Sequence, residues 1–439
     1  MAAFNLKWSN MCSQMNYKKI DEYLEYVDTF GIVPGLDNMN SLVEALNNPL
    51  EGIKVIHVAG TNGKGSVSTM IAHVLAKGKI NVGIYNSPAL VNAWEIIRFN
   101  NNSKLNSITK EEYYGYMETV VECAKELNSR KIYPTRFEIE TMAAFVAFRD
   151  RECEIAIVET GMGGREDATN VIANPLITVL TSISMDHMAY LGNTIEEIVA
   201  CKCGIFKENS TAVVANSNLV YQSLIDDFAK KMKCEIVYSD INKFDLISSK
   251  YDKLEFNYKD IEHLTINTGA LCQIDNVMTA IDVIDVLKEK MGLEISIDDI
   301  REGLDSFMWK GRFQVVKNEP LVIVDGAHNI AAAKLLKDTV ISIGLKDKLI
   351  LLMAVYKDKD YEDILEIMSE VSDYIICSDV GNVRALKADS LAKSASKYYK
   401  VVEHNRDIVK AIQQGEKTAE NYGKGLLCFG TLSMMKHFD

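Results

Sequence analysis

Residues 55–71, Val-Ile-His-Val-Ala-Gly-Thr-Asn-Gly-Lys-Gly-Ser-Val-Ser-Thr-Met-Ile, run an apolar strand into a glycine-rich loop with one lysine and one serine, then into a helical pattern. Gly60, Gly63 and Gly65 permit a tight turn whose backbone N–H groups face anionic oxygens. Thr61 and Asn62 complete the loop, Lys64 adds a point charge, and the Ser66 hydroxyl suits Mg2+. Such a strand, loop and helix form a cradle for the phosphates of a nucleoside triphosphate. The spacing departs from G-x-x-x-x-G-K-[ST], because Gly65 separates Lys64 from Ser66.

Other chemistry-bearing residues close apolar runs. Glu159 ends the run Glu154–Glu159 and precedes Thr160-Gly161-Met162-Gly163-Gly164-Arg165. A carboxylate at the C-terminal end of a parallel strand lies on the ligand edge of an α/β sheet, within reach of a Mg2+ held by Ser66. Asp186 and His187 follow the run Leu176–Thr181 in the same way, as a second metal or substrate contact. His57 lies inside a strand and reads as a satisfied core histidine. Gln273 and Asn276 share a helix face by their i,i+3 spacing, where amides either read an adenine edge or serve structure. Asp325-Gly326-Ala327-His328-Asn329 sits between a strand and a helix, again at the ligand edge.

The elements that must position these residues alternate. Strands at 82–85, 154–159, 176–181 and 211–215 interleave with helices at 66–77, 109–128, 136–150, 194–207 and 218–232, the pattern of a mostly parallel sheet with helices on both sides. Residues 235–267 read as a small antiparallel extension, and a helix at 270–290 closes this domain, 1–293. Strands near 321–325, 348–355, 374–379 and 425–430 alternate with helices near 329–343, 360–372, 387–398 and 407–421 in a second α/β domain, 294–439. No flexible linker separates the two, which places the expected active site between them.

With 439 residues, 48% of them hydrophobic and 25% charged, the chain has ample apolar material for two cores. A net charge of −13 argues against a nucleic-acid or anionic-membrane partner. No apolar run approaches about 18 residues, so no membrane span is expected. The first 20 residues lack a secretory core, and nine scattered cysteines read as reduced thiols, so the expected compartment is the cytoplasm. Cys201 and Cys203 lack two further ligands for a metal knuckle.

The ordered set of motifs resembles one family, folylpolyglutamate synthase/dihydrofolate synthase of the Mur ligases. The matching pieces are Gly35-Leu36, His57 through Ser66, Ser87-Pro88, Phe137-Glu138, Glu159 through Asn170, Asp186-His187, Lys202-x-Gly204-Ile205-Phe206-Lys207, Gln273-x-x-Asn276, Trp309-x-Gly311-Arg312, Asp325 through Asn329, Arg384-Ala385 and Gly430-Thr431-Leu432. They span essentially the whole chain. The resemblance implies the Mur ligase architecture: a P-loop ATPase-type N-terminal domain and a smaller, Rossmann-like C-terminal one.

It also implies site roles. Ser66 and Glu159 would hold one Mg2+ and His187 a second, with Lys202 present as a carbamate that turns a cation into a metal-binding anion. Lys64, Lys202 and His328 would be catalytic. Nucleotide contacts would come from the loop 60–66 and from Gln273, Asn276, Arg312 and Asp325, and acceptor contacts from Ser87, Pro88, Asp167 and Thr169. Two departures stand out: the loop after Ser87-Pro88 reads Ala89-Leu90 and Glu95-Ile96-Ile97-Arg98 where the family has His-Leu and Glu-Arg-Ile, and Cys201 replaces an acid before Lys202.

The expected activity is an ATP-dependent amide ligation of L-glutamate to folate, and to dihydropteroate, through an acyl phosphate, by a monomer. The alternatives are another Mur-type ligase acting on a peptidoglycan or poly-amino-acid precursor, and a P-loop nucleotide switch.

Overall fold

The computed structural model describes residues 17–31, 33–307, 310–382 and 384–438. Cys12, Trp309 and most of the N-terminal stretch read for a secretion signal lie outside the described residues. Contacts divide the chain into two units, Met1–Ser239 with Thr279–Gly303, and Asp240–Met278 with Leu304–Asp439.

The first unit is built on one sheet of eight strands: β1 (Lys54–Ala59), β2 (Val82–Tyr85), β3 (Ile97–Asn101), β4 (Lys104–Ser107), β5 (Ile155–Glu159), β6 (Ile177–Leu180), β7 (Thr211–Val214) and β8 (Glu235–Tyr238). Their order is β4-β3-β2-β5-β1-β6-β7-β8. The neighbours from β2 to β8 pair in parallel, while β3 and β4 add an antiparallel edge. Strands β2, β5, β6 and β7 are buried along their whole length, which is why they are continuous apolar runs rather than alternating ones. Covering helices share that character: Lys64–Lys77 is buried at nearly every position from Ser66 to Ala76. The helix Arg136–Asp150 starts on a capping box in which Glu138 N–H donates to Thr135 Oγ1 at 3.3 Å and Thr135 N–H to Glu138 Oε2 at 2.6 Å. That box gives the motif residue Glu138 a structural task.

The second unit carries a three-stranded antiparallel sheet, ordered β11-β10-β9, from β9 (Phe244–Ser249), β10 (Leu254–Tyr258) and β11 (Ile261–Ile266). Its larger sheet contains β12 (Gln314–Asn318), β13 (Leu321–Val324), β14 (Leu349–Met353), β15 (Tyr374–Ser378), β16 (Val401–Asn405) and β17 (Gly425–Phe429), in the order β12-β13-β17-β14-β15-β16. Only β12 runs antiparallel.

The contact division departs from 293/294 in two places. Residues 240–278 group with the second unit because Lys253, Thr265 and Asn267 all bond Asp305, and Leu271 N–H reaches Thr339 Oγ1 at 3.1 Å. Residues 294–303 stay with the first, where Glu302 bonds Lys77 at 3.1 Å. Strands β3, β4, β12 and β16 and the helix Ile297–Asp305 are absent from the sequence expectations.

Candidate functional site

The phosphate loop leaves β1 and is pinned from beside β6. Thr61 N–H donates to the Ser182 carbonyl at 2.7 Å and Asn62 N–H to the same oxygen at 3.4 Å, so these two amides turn inward rather than toward an anion. Thr61 Oγ1 and Ser184 exchange bonds of 3.0 Å. Gly60 is required here, since a Cβ on it would lie 1.8 Å from Thr181 Oγ1. Gly63, at φ 92°, opens the helix Lys64–Lys77 without a side-chain cap. The first-turn N–H groups of that helix have no intrahelical acceptors, and they sit at the positive end of the helix dipole. This part of the loop is the one suited to an anion.

Three side chains converge on it. Lys64 Nζ bonds the Gly60 carbonyl at 3.2 Å and lies 4.0 Å from Glu159 Oε1. Glu159, at the end of β5, is buried, and its Oε2 accepts from Asn86 Nδ2 at 2.7 Å. Lys202, the last residue of the helix Ile195–Lys202, is buried and donates to the Gly60 carbonyl at 2.8 Å. Burial, helped by the nearby Lys64 charge, pulls its ammonium down to about 7. The glycine turn after Glu159 makes this approach possible: a Cβ on Gly164 would lie 2.8 Å from the carbonyl oxygens of Cys201 and Lys202.

Asp167 and Thr169 order the turn locally. Asp167 Oδ2 accepts from Met162 N–H at 2.8 Å, and Oδ1 accepts from Thr169 N–H at 3.0 Å and Thr169 Oγ1 at 2.5 Å. Burial raises the Asp167 carboxyl while these donors pull it back. Since the Thr169 hydroxyl donates to Asp167, it accepts from His57 Nε2 at 2.8 Å, which leaves Nδ1 as the acceptor nitrogen of His57. That Nδ1 is buried without a partner, so His57 is only half satisfied, and burial pushes its pKa down to about 3. His187 is exposed with φ 52°, a left-handed backbone uncommon outside glycine. Ser87 is half-buried and Pro88 exposed, across a cis peptide.

In the second unit, Gln273 and Asn276 are buried on the helix Cys272–Met291, and Asn276 Nδ2 donates to Gln273 Oε1 at 2.8 Å. Asp325, past the end of β13, accepts from Phe313 N–H at 2.8 Å and Ala327 N–H at 2.7 Å. Burial raises its carboxyl and the Arg312 charge opposes that. His328 Nδ1 sits 2.8 Å from the Gly326 carbonyl, which fixes the Nδ1–H tautomer because a carbonyl only accepts.

Two family models match the chain: the Mur ligase middle domain over residues 58–284 and the Mur ligase glutamate ligase domain over 311–432. A dihydrofolate synthase/folylpolyglutamate synthase of Bacillus subtilis is 32% identical over 82% of this chain and 85% of its own length. The chain belongs to the dihydrofolate synthase/folylpolyglutamate synthase family of Mur ligases. The folylpolyglutamate synthase of Thermotoga maritima superposes with a TM-score of 0.82 at 31% identity, covering 96% of each chain. A bifunctional synthase solved with Mn, AMPPNP and L-glutamate gives 0.80 at 26% identity, covering 95% of this chain and 96% of its own.

For a Mur ligase, the donor set around the loop is of the right kind. The Ser66 hydroxyl and Glu159 carboxylate are hard oxygen donors of the kind Mg2+ takes, and substrate phosphates normally complete such a sphere. No cluster of three or more His, Cys, Asp or Glu side chains suited to a metal occurs among the described residues. Two residues linked by hydrogen bonds to Glu159, Asn86 and Arg98, have no role assigned from the sequence. Neither belongs to a spaced motif, and the one available signal was that Arg98 closes the altered stretch 89–98.

Proposed function

We propose that this ligase joins L-glutamate to two kinds of acceptor, folates and dihydropteroate. As a Mur ligase of this family it is an ATP-dependent acid–amino-acid ligase. The carrying observation is the convergence of Lys64, Glu159 and Lys202 on the loop that begins at Gly60, with Lys202 Nζ 2.8 Å and Lys64 Nζ 3.2 Å from one carbonyl. In the reaction we assign, an acceptor carboxylate oxygen takes the γ-phosphoryl group of ATP and ADP leaves. The glutamate amine then attacks the acyl carbon, the carbon–oxygen bond to phosphate breaks, and the amine loses a proton. Lys64 offsets charge on the transferring group, the main task of a protein in phosphoryl transfer.

Mg2+ bound by Ser66 and Glu159 would neutralise the phosphates, and we assign His187 to a second ion. Lys202 is suited to carbamylation, because a buried lysine pulled to about 7 holds a large fraction of neutral, nucleophilic amine at physiological pH. That amine adds to CO2 and releases a proton. Gln273, Asn276, Arg312 and Asp325 are our candidates for nucleotide contact, and His328 for the catalytic histidine. The functional boundary we adopt, 293/294, falls between the two matched ranges. We assign a monomer in the cytoplasm; all eight described cysteines are free, and no described helix is long and apolar enough to cross a membrane.

Acceptor contacts are assigned to Ser87, Pro88, Asp167 and Thr169. Asp167 keeps lone pairs beyond those its three local donors use, since a carboxylate accepts at about four sites. The test is ADP release with glutamate, Mg-ATP and either dihydropteroate, tetrahydrofolate or a muropeptide. Turnover of the first two is expected, with Asp167→Ala weakening the dihydropteroate reaction more. Turnover of tetrahydrofolate alone would restrict the enzyme to polyglutamylation, and turnover of the muropeptide alone would overturn the folate reading.

A further inference from the structure

Arg98 reaches the metal-side carboxylate through one intermediary. It lies on β3 opposite Ile84 of β2, and its Nη2 donates to Thr69 Oγ1 of the helix Lys64–Lys77 at 2.8 Å and to Asn86 Oδ1. Asn86 follows β2, is buried, and donates from Nδ2 to Glu159 Oε2 at 2.7 Å. The direction of this chain is dictated by chemistry. A guanidinium only donates and a carboxylate only accepts, so the Asn86 amide has one allowed orientation, with its oxygen toward Arg98 and its NH2 toward Glu159. Glu159 is thereby divided: Oε2 is held by Asn86, while Oε1 stands 4.0 Å from Lys64 Nζ at the phosphate loop.

We propose that Arg98 and Asn86 are positioning residues that lock the Glu159 carboxylate so that Oε1 faces the divalent cation of the nucleotide. The proposal rests on the assignment of Glu159 as a metal ligand. Hydrogen-bonded partners behind a ligating carboxylate fix its rotation, and their loss typically costs about 10- to 100-fold in metal affinity. Arg98 matters here because a neutral amide alone can flip end for end, whereas an amide facing a guanidinium cannot.

The test is Mn2+ binding to the full chain with saturating ADP, followed by electron paramagnetic resonance, alongside ADP binding in EDTA. Glu159→Gln should weaken Mn2+ binding most. Asn86→Ala and Arg98→Met should each weaken it about 10-fold or more, leave ADP affinity in EDTA unchanged, and recover turnover at high Mg2+. The double variant should be little worse than the worse single one, because both act through one oxygen. Arg98→Lys should restore part of the loss. Asn86→Asp, isosteric but like-charged beside Glu159, supplies a second probe should Arg98→Met fail to fold, and should weaken Mn2+ binding further than Asn86→Ala. Wild-type Mn2+ affinity in Glu159→Gln would remove the ligand assignment itself. Loss in Glu159→Gln with wild-type affinity in Asn86→Ala and Asn86→Asp would overturn the positioning role alone, as would an equal loss of ADP affinity in EDTA.

Discussion

Each unit contains a strand, a glycine turn and a helix at the ligand edge of its sheet, and the two treat the helix start in opposite ways. In the first, β1 leads through Gly60–Gly63 into Lys64–Lys77, and no side chain caps the helix. In the second, β13 leads through Asp325–Asn329 into Ile330–Ser342, and Asn329 caps it by accepting from Ala332 N–H at 2.9 Å. Asp325 also takes up Ala327 N–H at 2.7 Å in the approach to that helix. An uncapped helix start retains N–H groups and partial positive charge for a phosphate, whereas a capped one has settled that need internally. The same supersecondary unit therefore leaves its helix start open to an anion in one place and closes it with its own side chain in the other, where only Asp325 and His328 in the preceding turn are candidates for ligand contact, and the difference lies in Gly63 against Asn329.

The largest effect should come from the anion-receiving side. Lys64→Ala removes the charge beside Gly60 and Glu159 and should lower the ligase rate by about 10²-fold or more. Unfolding temperature should change little, since Glu159 keeps its bond to Asn86. Turnover near that of the unmodified chain would break the contrast, because the loop would then be scaffold as well.

A second effect depends on pH. Burial lowers Lys202 to about 7 from 10.5, so the native state resists a proton that the unfolded chain holds up to about pH 10. The destabilisation from this mismatch is at its full size below pH 7 and fades as pH rises toward the unfolded value. In bicarbonate-free buffer, Lys202→Met should therefore be more stable than the unmodified chain at pH 6, with the gap narrowing by pH 9, while ligase activity is lost. A gap independent of pH, read from denaturant midpoints, would mean that Lys202 is not the buried near-neutral amine required for carbamate formation.

How much of this was legible follows from burial. Strands β2, β5, β6, β7, β14 and β17, buried at every position, stand out as apolar runs. Strands β3, β4, β12 and β16 have mixed exposure and polar residues such as Asn100, Asn106, Lys317 and His404, so their pairing is decided by neighbours the local pattern does not name. The site divides similarly. Lys64 and Lys202 both bond the Gly60 carbonyl and Glu159 lies 4.0 Å from Lys64, three residues that strand-end placement and the family resemblance single out. The inward turn of Asp167 depends on Met162 N–H coming round the glycine turn, and the link from Arg98 to Asn86 joins residues twelve apart across a hairpin. Neither has a periodicity or spacing to betray it.

The smallest effect belongs to the scaffold side. Asn329→Ala deletes the buried oxygen that accepts from Ala332 N–H, leaving a half-buried helix start one acceptor short. Loss of such a cap costs about 1 kcal/mol, seen as a lower denaturant midpoint with an unchanged slope. Asn329→Asp keeps an acceptor at the same place and should recover most of that loss. If the second helix start is scaffold, added phosphate should not rescue Asn329→Ala, because no anion is called for there. A rescue by phosphate in that variant, equal to the stabilisation ADP gives the unmodified chain, would show that the cap stands in for an anion and that the two helix starts differ in degree only.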